Sequence, residues 1–364
     1  MAWTTPKTWT ADTLLTASDL NQYVSDNLSA LYALTQGGGR KNLLHNGAMR
    51  VAQRTTSYAS ITGTQTYTAD RWVTSIDSLG TWTQSVEADA PTGSGFRSAL
   101  KMLVTASDAS PAAGDYVNIQ QRIEGQNLQT VLKGTTSAQQ LTLSFWTKSN
   151  KTGTYVVELY DADNSRHCAK TYTIASSATW EQQSITFPAD ATGAFDNDAN
   201  GSLYLYFHLA EGSNSTSGTL ATTWASYTAA NRAVGQTNLA AATNNYWMTT
   251  GVQLEIGSAA TGFEHKDYGT ELLECQRYYE SSLGAEIQAT GYQAAGYASE
   301  VVVSFMVQKR GTPTVTQTNT YSDNCSATPS QKAVSARGFT SYRTITSGPG
   351  AMQFAETWTA SADL

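Results

Sequence analysis

The sequence is short of charge. Only 14% of its 364 residues are Asp, Glu, Lys or Arg, and the formal net charge at pH 7 is −7. A protein that binds the phosphates of DNA or RNA needs a basic surface, so this balance argues against a nucleic-acid partner. Thr, Ser, Asn and Gln are abundant instead. A neutral surface of hydroxyls and amides suits hydroxyl-rich ligands and dense protein assemblies.

Cysteine and long apolar runs are also scarce. The three cysteines, Cys168, Cys275 and Cys325, are far apart and odd in number, so no disulfide framework or CxxC metal site is indicated. The longest apolar run, VVVSFMV at 301–307, is too short to cross a bilayer as a helix. The N-terminus lacks the basic and apolar segments of a secretory signal. We therefore expect a protein made in the cytoplasm, without membrane insertion.

Catalytic motifs are missing as well. The sequence contains no H-E-x-x-H, G-x-S-x-G, Walker loop or helix-opening G-x-G-x-x-G, and its four histidines are scattered. It also lacks the long repeats of a β-helical depolymerase. Carboxylate pairs such as Asp161 and Asp163 cannot be judged, because a glycosidase pair is defined by its separation across a cleft. The expectation is a non-catalytic protein without a cofactor.

What the chain has is the pattern of antiparallel β-structure. Short segments rich in Thr, Tyr, Val and Trp are separated by turn clusters such as PTGSG and DNDANG, which is typical of a sandwich or jelly roll. The fold class is therefore predicted as mainly β. The clearest predicted strands are 141–149, 153–161, 202–210 and 246–256, followed in a smaller C-terminal β domain by 301–307.

Two helices interrupt this pattern. Thr16 and Asp19 form a capping-box-like start, after which an apolar stripe runs along the helix: Leu20, Val24, Leu28, Leu31 and Leu34. The stripe fits a short parallel bundle of identical chains and the surface of a partner protein about equally well. The predicted divisions are a helical segment at 1–39, a jelly roll at 40–268, a short connecting helix at 269–283 and a distal β domain at 284–364.

Several motifs resemble those of phage tail-fibre proteins. TASDLNQYVSDNLSALYAL resembles the helix by which phage structural proteins attach to the virion. NLLHNGAMRVAQR and the following DRW resemble the opening of a tail-fibre domain with a carbohydrate-binding-module jelly roll. GVQLEIGSAATGFEHKDYGTELLECQRYYE resembles the closing signature of that domain and is the most specific of these matches.

The resemblance implies a receptor-binding structural protein of the tail fibre, located in the virion and made in the host cytoplasm. Such proteins are usually homotrimers that dock to other virion or tail proteins by the N-terminus and contact a glycan on the host surface. It also implies that the helix with Tyr278 and Tyr279 packs near a three-fold axis. The alternatives are a head-decorating fibre or tail adaptor without a ligand, a short tailspike that hydrolyses glycan, and a non-viral adhesin.

Candidate ligand residues follow from the chemistry of sugars. A glycan site needs aromatic rings for the apolar side of a sugar, and amides, carboxylates or Arg for its hydroxyls. Aromatic residues in polar loops and in the distal domain are the candidates, with the distal ones favoured because a fibre presents its tip: Trp224, Tyr227, Tyr321, Tyr342 and Trp358.

The run DNDANG suggests a possible structural calcium site. Asp196, Asp198 and Asn200 match the first half of a calcium loop, in which alternate oxygen ligands surround the ion. The match is incomplete, because Phe207 stands where the closing glutamate belongs. An ordinary Asx-rich turn is the favoured interpretation.

Overall fold

The computed structural model describes residues 14, 16–25, 41–63, 66–282 and 284–364. Within these residues the chain is mainly β, as predicted, with all strand pairs antiparallel. Thirteen strands belong to the predicted β-sandwich, and they are β1 (Ser57–Ile61), β2 (Thr66–Tyr67), β3 (Val73–Asp77), β4 (Thr81–Glu87), β5 (Ala99–Ala106), β6 (Tyr116–Glu124), β7 (Leu141–Ser149), β8 (Gly153–Asp161), β9 (Arg166–Ile174), β10 (Glu181–Phe187), β11 (Gly201–Glu211), β12 (Ala225–Ser226) and β13 (Tyr246–Ile256).

The sandwich consists of two sheets. One has six strands in the order β1-β4-β5-β13-β7-β10, and the other has seven in the order β12-β9-β8-β11-β6-β3-β2. Alternation along each strand sends one set of side chains into the space between the sheets. On β11 the inward set includes Leu203, Leu205 and Phe207, all fully buried. The ring of Phe207 lies 5.0 Å from that of Phe145 and 5.3 Å from that of Trp247, so aromatic contacts join the two sheets.

The N-terminal helix is described in part. Ala17–Asp19 (α1) is α-helical and continues as a π-helical turn over Leu20–Ser25. The predicted capping box is present, since Thr16 accepts from the Asp19 N–H and the Asp19 carboxylate accepts from the Thr16 N–H. The stripe positions Leu28, Leu31 and Leu34 lie outside the described residues.

Two further helices and four short 3-10 turns are found among the described residues. They are α2 (Ser213–Thr216), α3 (Tyr268–Gln276), and the 3-10 turns Gly125–Asn127, Gln129–Val131, Ala229–Asn231 and Leu239–Ala241. No helix in the described ranges is long and apolar enough to cross a membrane. All three cysteines are free and buried.

The distal domain is a pair of smaller sheets. Its strands are β14 (Tyr279–Ser281), β15 (Ile287–Gln293), β16 (Ala298–Ser304), β17 (Thr314–Asp323), β18 (Ser330–Ser335), β19 (Gly338–Thr344) and β20 (Gly350–Ser361). The long strand β20 pairs with β14, β15 and β17, and β19 pairs with β16 and β18. Between the sheets Arg343 forms a fully buried ion pair with Glu356. Phe305, Phe339 and Trp358 pack beside it as an apolar core.

Two predicted boundaries in this region are wrong. The connecting helix was expected to run through 269–283, but α3 ends at Gln276, and β14 pairs with the last strand of the chain. The backbone groups of 279–281 pair with those of β20, and this pairing replaces the hydrogen bonds of a continued helix. The strand predicted at 301–307 ends at Ser304, where Phe305 turns into the distal core.

A buried asparagine holds the segment that leads into the sandwich. The backbone of Asn46 has a φ of 52°, and its side chain makes four hydrogen bonds to backbone groups. Its Oδ1 accepts from the N–H groups of Arg50 and Val51, and its Nδ2 donates to the carbonyls of Val51 and Asp70. The indole of Trp72 donates to the Asn46 carbonyl at 3.0 Å. The NLLHNG, RVAQR and DRW segments therefore meet at one residue.

The same region joins the two domains. The Arg71 guanidinium lies 3.4 Å from the ring centre of Tyr278, and Arg277 at the end of α3 makes two hydrogen bonds of 2.7 Å to Glu124 of β6. The carboxylate of Glu271 accepts from the Asn46 N–H. Tyr278 is fully buried within the single chain. Its ring is therefore not available to another protomer, and the packing of the helix near a three-fold axis stays a prediction.

We expect Asn46→Ala to lower the free energy of unfolding by roughly 3 kcal/mol or more, because it leaves buried backbone groups without partners. Alanine also tolerates the positive φ poorly. Urea denaturation followed by tryptophan fluorescence measures the change. The matched control is Asn214→Ala in α2, where the side chain is exposed and a change within about 0.5 kcal/mol is expected. Equal losses in the two variants would contradict this role of Asn46.

Candidate functional site

A row of tyrosines lies on the outer face of the seven-stranded sheet. The inward set of β11 alternates with Tyr204 and Tyr206, which therefore point away from the core. Tyr204 lies opposite Tyr160 on the neighbouring strand β8, and opposite Arg122 on the neighbouring strand β6. We call the partly exposed surface formed by these residues, together with two from the segment after β11, the tyrosine face: Arg122, Tyr160, Tyr204, Tyr206, Tyr227 and Arg232.

The rings of this face contact one another. The ring centre of Tyr160 lies 5.8 Å from that of Tyr204 and 5.3 Å from that of Tyr227, both in edge-to-face geometry. Tyr204 and Tyr206 are 6.3 Å apart. Burial raises the pKa of Tyr206, so that its phenol stays protonated at neutral pH and can donate a hydrogen bond. The four rings form a continuous aromatic surface with hydroxyls at its edge.

Two arginines contact the rings of the row. The guanidinium carbon of Arg122 is 5.0 Å from the ring centre of Tyr204, and that of Arg232 is 5.0 Å from that of Tyr206. The Nε of Arg122 donates to Oε1 of the buried Gln120 at 3.2 Å. The arrangement offers rings for the apolar side of a ligand and N–H donors for its oxygen atoms.

Beside the rings, on the same face of the sheet, is a buried cluster of charged groups. Glu158 is fully buried and accepts from Nδ1 of His167 at 2.8 Å, from Nε2 of His208 at 3.1 Å and from Nε of Arg232 at 2.9 Å. The second nitrogen of His208 donates to Glu211 at 2.6 Å. Both nitrogens of His208 thus donate to carboxylates, which fits an imidazolium.

The cluster shifts two pKa values in opposite directions. Burial alone would raise the pKa of Glu158, but hydrogen bonds from His167 and His208 and the charge of Arg232 lower it well below its usual range. Burial alone would lower the pKa of His208, but the charge of Glu211 and the hydrogen bonds to Glu158 and Glu211 raise it. Each group is therefore held in its charged form next to the tyrosines.

The segment 212–245 crosses this side of the sheet. Besides Arg232, it supplies Gln236, whose Oε1 accepts from the Val156 N–H at 2.7 Å, and Thr237, whose N–H donates to the Thr154 carbonyl at 2.8 Å. The pairing of β11 with β8 stops at Val156. The bonds from Gln236 and Thr237 take the place of strand hydrogen bonds at that end of β8. The segment therefore covers the end of β8 on the outer face and contributes Tyr227 and Arg232 to the tyrosine face.

Of the two sandwich residues predicted to bind ligand, one lies on this face. Tyr227 is 41% exposed and contacts Tyr160. Trp224 is partly buried against the sandwich core, its Nε1 donates to the Pro188 carbonyl at 2.8 Å, and the Lys133 ammonium lies 5.3 Å from its ring. Trp224 therefore packs on the sandwich core and is not part of the tyrosine face.

The three distal candidates are not brought together. Tyr321 is 48% exposed on β17, and Tyr342 is on β19 with the Lys332 ammonium 5.6 Å from its ring. Trp358 is only 7% exposed and lies in the distal core against Phe305 and Phe339. The prediction that Trp358 is an exposed platform is therefore wrong, because the alternation of β20 turns it inward.

The DNDANG run forms hydrogen bonds of its own. Asp198 accepts from the backbone N–H of Asn200 at 2.8 Å and from the Asn200 side-chain amide at 2.5 Å, which is Asx-turn geometry. The Asp196 N–H donates to Asp163. The described part of the chain contains no cluster of three or more His, Cys, Asp or Glu that could hold a metal ion.

Sequence reasoning missed most of the tyrosine face, although a signal was present. In SLYLYFHLA the Leu and Phe residues occupy alternate positions, and Tyr204, Tyr206 and His208 fill the others. Once the Leu and Phe set is assigned to the core, the Tyr set must face outward. The same alternation in YVNIQQRIE places Gln120 and Arg122 outward. Only the pairing of β6, β11 and β8 brings these sets together.

Comparisons with known proteins give a loose likeness of fold. No family model matches the chain, and no curated protein matches it. Among solved structures, the enzymatically active domain of tailspike protein 4 of bacteriophage CBA120 matches with a TM-score of 0.33 and 14% identity, over 59% of this chain and 21% of that one. The chain therefore spans about a fifth of that tailspike structure.

Two sugar-binding domains are similar to a comparable degree. A family 11 carbohydrate-binding module from Clostridium thermocellum, in complex with a β-1,3-1,4-mixed-linked tetrasaccharide, matches with a TM-score of 0.28 and 11% identity, over 57% of this chain and 100% of that one. A xylan-binding domain from Paenibacillus barcinonensis matches with a TM-score of 0.26 and 11% identity, over 56% of this chain and 94% of that one. These scores are too low to support an argument about function, which must come from the chain's own residues.

The buried cluster predicts a pH-dependent stability. Because the pKa of His208 is raised above its usual 6.5, its stabilisation is complete below that pH and is lost as pH rises through the raised pKa. The stabilisation from Glu158 is complete above its usual 4.5 and is lost as pH falls through the lowered pKa. We expect His208→Gln to lower the melting temperature by several degrees at about pH 5.5 and by less at about pH 9.

Thermal melting of both proteins at the two pH values measures this difference. His265→Gln is the control, since His265 is exposed, and it should change the melting temperature little at either pH. A His208→Gln effect of equal size at both pH values would show that the imidazolium charge does not contribute.

Proposed function

We propose that this chain is a non-catalytic, receptor-binding structural protein of a phage tail fibre, and that its tyrosine face binds a glycan on the host surface. The observation that carries the proposal is the row formed by Tyr160, Tyr204, Tyr206 and Tyr227 on the outer face of the sheet. Four contacting aromatic rings are partly exposed there, where a sheet that faced only solvent would need none.

The chemistry of the face suits sugars. One side of a pyranose ring is apolar and packs on aromatic rings, while its hydroxyls need hydrogen-bond donors and acceptors. Tyr204 and Tyr206 supply the rings, and Arg122 and the phenols supply polar atoms. Since the rings already contact one another and the strands below are paired on both sides, little ordering is needed on binding.

The role in a virion rests on the motifs of the sequence. In the proposal, the segment 1–39 docks to other virion or tail proteins, and three copies of the chain form the fibre. The exposure of Leu20 (44%) and Val24 (50%) supports a partner for the helix, whether another copy or a virion protein. Three copies multiply a weak single-site contact into a higher avidity.

We expect Tyr204→Ala to weaken binding of the full chain to intact bacterial host cells by about tenfold or more, since it removes a ring contact worth roughly 1.5 kcal/mol. Tyr58→Ala, at an exposed position of β1 in the other sheet, is the matched control and should bind as the unaltered protein does. Flow cytometry with fluorescently labelled protein measures the affinity.

A third variant, Tyr321→Ala, separates the two domains. A loss of binding in Tyr321→Ala but not in Tyr204→Ala would place the receptor site in the distal domain and contradict the proposal. If the folded, unaltered protein does not bind cells at all, the chain is better explained as an adaptor or decoration protein.

A further inference from the structure

The charged groups of the tyrosine face and of the buried cluster next to it are paired with opposite charges, with one exception. Arg232 and His208 are paired with Glu158, and His208 is paired with Glu211 as well. Arg122 differs, because no carboxylate among the described residues lies within 4.0 Å of its guanidinium nitrogens. Its hydrogen bond is to the neutral Gln120. The face therefore presents one uncompensated positive charge on a chain whose net charge is −7.

The guanidinium of Arg122 is held in place by one hydrogen bond, which uses only its Nε. Gln120 accepts from its Nε at 3.2 Å, and Tyr204 lies 5.0 Å from its central carbon. The carbonyl of Arg122 accepts from the side chain of Arg71, which fixes the strand below. In the described part of the chain, no hydrogen bond uses Nη1 or Nη2 of Arg122. Those two nitrogens form the planar fork that binds a carboxylate with two parallel hydrogen bonds.

We propose that the glycan bound by the tyrosine face is acidic, and that Arg122 binds the carboxylate of one of its sugars while Tyr204 packs on the ring. This inference rests on the proposed function and adds the class of sugar. A carboxylate carries a single negative charge, which one guanidinium matches. A phosphate monoester carries nearly two charges at pH 7 and would need a second free cation, whereas Arg232 is already paired with Glu158.

The test uses pairs of oligosaccharides that differ only at carbon 6. Tetragalacturonate and α-1,4-galactotetraose form one pair, and cellotetraose and its uronate form the second. Isothermal titration calorimetry of the full chain gives the affinity for each. We expect each acidic member that binds to do so roughly tenfold more tightly than its neutral partner, and the advantage to shrink as salt is raised.

Variants of Arg122 assign the effect. Arg122→Gln should remove the roughly tenfold advantage of the acidic member over its neutral partner, and Arg122→Lys should retain part of it because lysine keeps the charge but not the fork. Arg97→Gln, at an exposed position outside the tyrosine face, is the control and should keep the full advantage. Thermal melting of each variant confirms that it is folded.

The outcomes separate the two proposals. Equal binding of acidic and neutral members, lost in Tyr204→Ala, would support the glycan site and overturn the acidic preference. An acidic preference that survives Arg122→Gln would also overturn this inference, because the carboxylate would then bind elsewhere. If no acidic member binds at millimolar concentration the inference falls, and if no neutral member binds either, the glycan site falls with it.

Discussion

The hydrogen bonds of Asn46 are the constraint on which the rest of the structure depends. The segment that enters the sandwich runs past β13 without forming a regular strand, so its buried backbone groups need partners that no ladder provides. One side-chain amide satisfies the N–H groups of Arg50 and Val51 and the carbonyls of Val51 and Asp70. The positive φ of Asn46 makes this possible, because it turns the chain back over its own side chain.

The contacts next to Asn46 decide how the two domains are placed. Its N–H donates to Glu271 of α3, and the residues after α3 are held by Arg71 on Tyr278 and by the ion pair of Arg277 with Glu124. The last two contacts each place a guanidinium against a ring or carboxylate that is largely removed from water, where such contacts are stronger than at the surface. The connecting helix thus packs against the sandwich along its length and does not act as a free linker.

The sequence allowed the strands to be predicted better than the site. The predicted strands 141–149, 153–161 and 246–256 coincide with β7, β8 and β13, because alternation and flanking turns are local signals. The short strand β14 could not be foreseen, since its partner on β20 is about eighty residues away. Trp358 was misplaced for a similar reason. Which face of β20 is covered depends on the second distal sheet, and no local pattern contains that information.

The motifs that resemble those of tail-fibre proteins and the candidate ligand residues lie in different places. Asn46 and Trp72 of the opening motif, and Glu271 and Tyr278 of the closing motif, meet at the junction between the domains. Resemblance in these motifs therefore concerns how the two domains are joined and not which ligand is bound.

The outer positions of β6, β8 and β11 belong to none of the motifs, and the core constrains only their alternate neighbours. Residues at such positions can change without loss of the fold. The buried pairing of Glu158 with His208 and Arg232 lies beside the tyrosines on the same face and keeps segment 212–245 on the sheet. Because this buried cluster is stable and neutral overall, the surface residues next to it, Arg122 and Tyr204 among them, determine which ligand is bound.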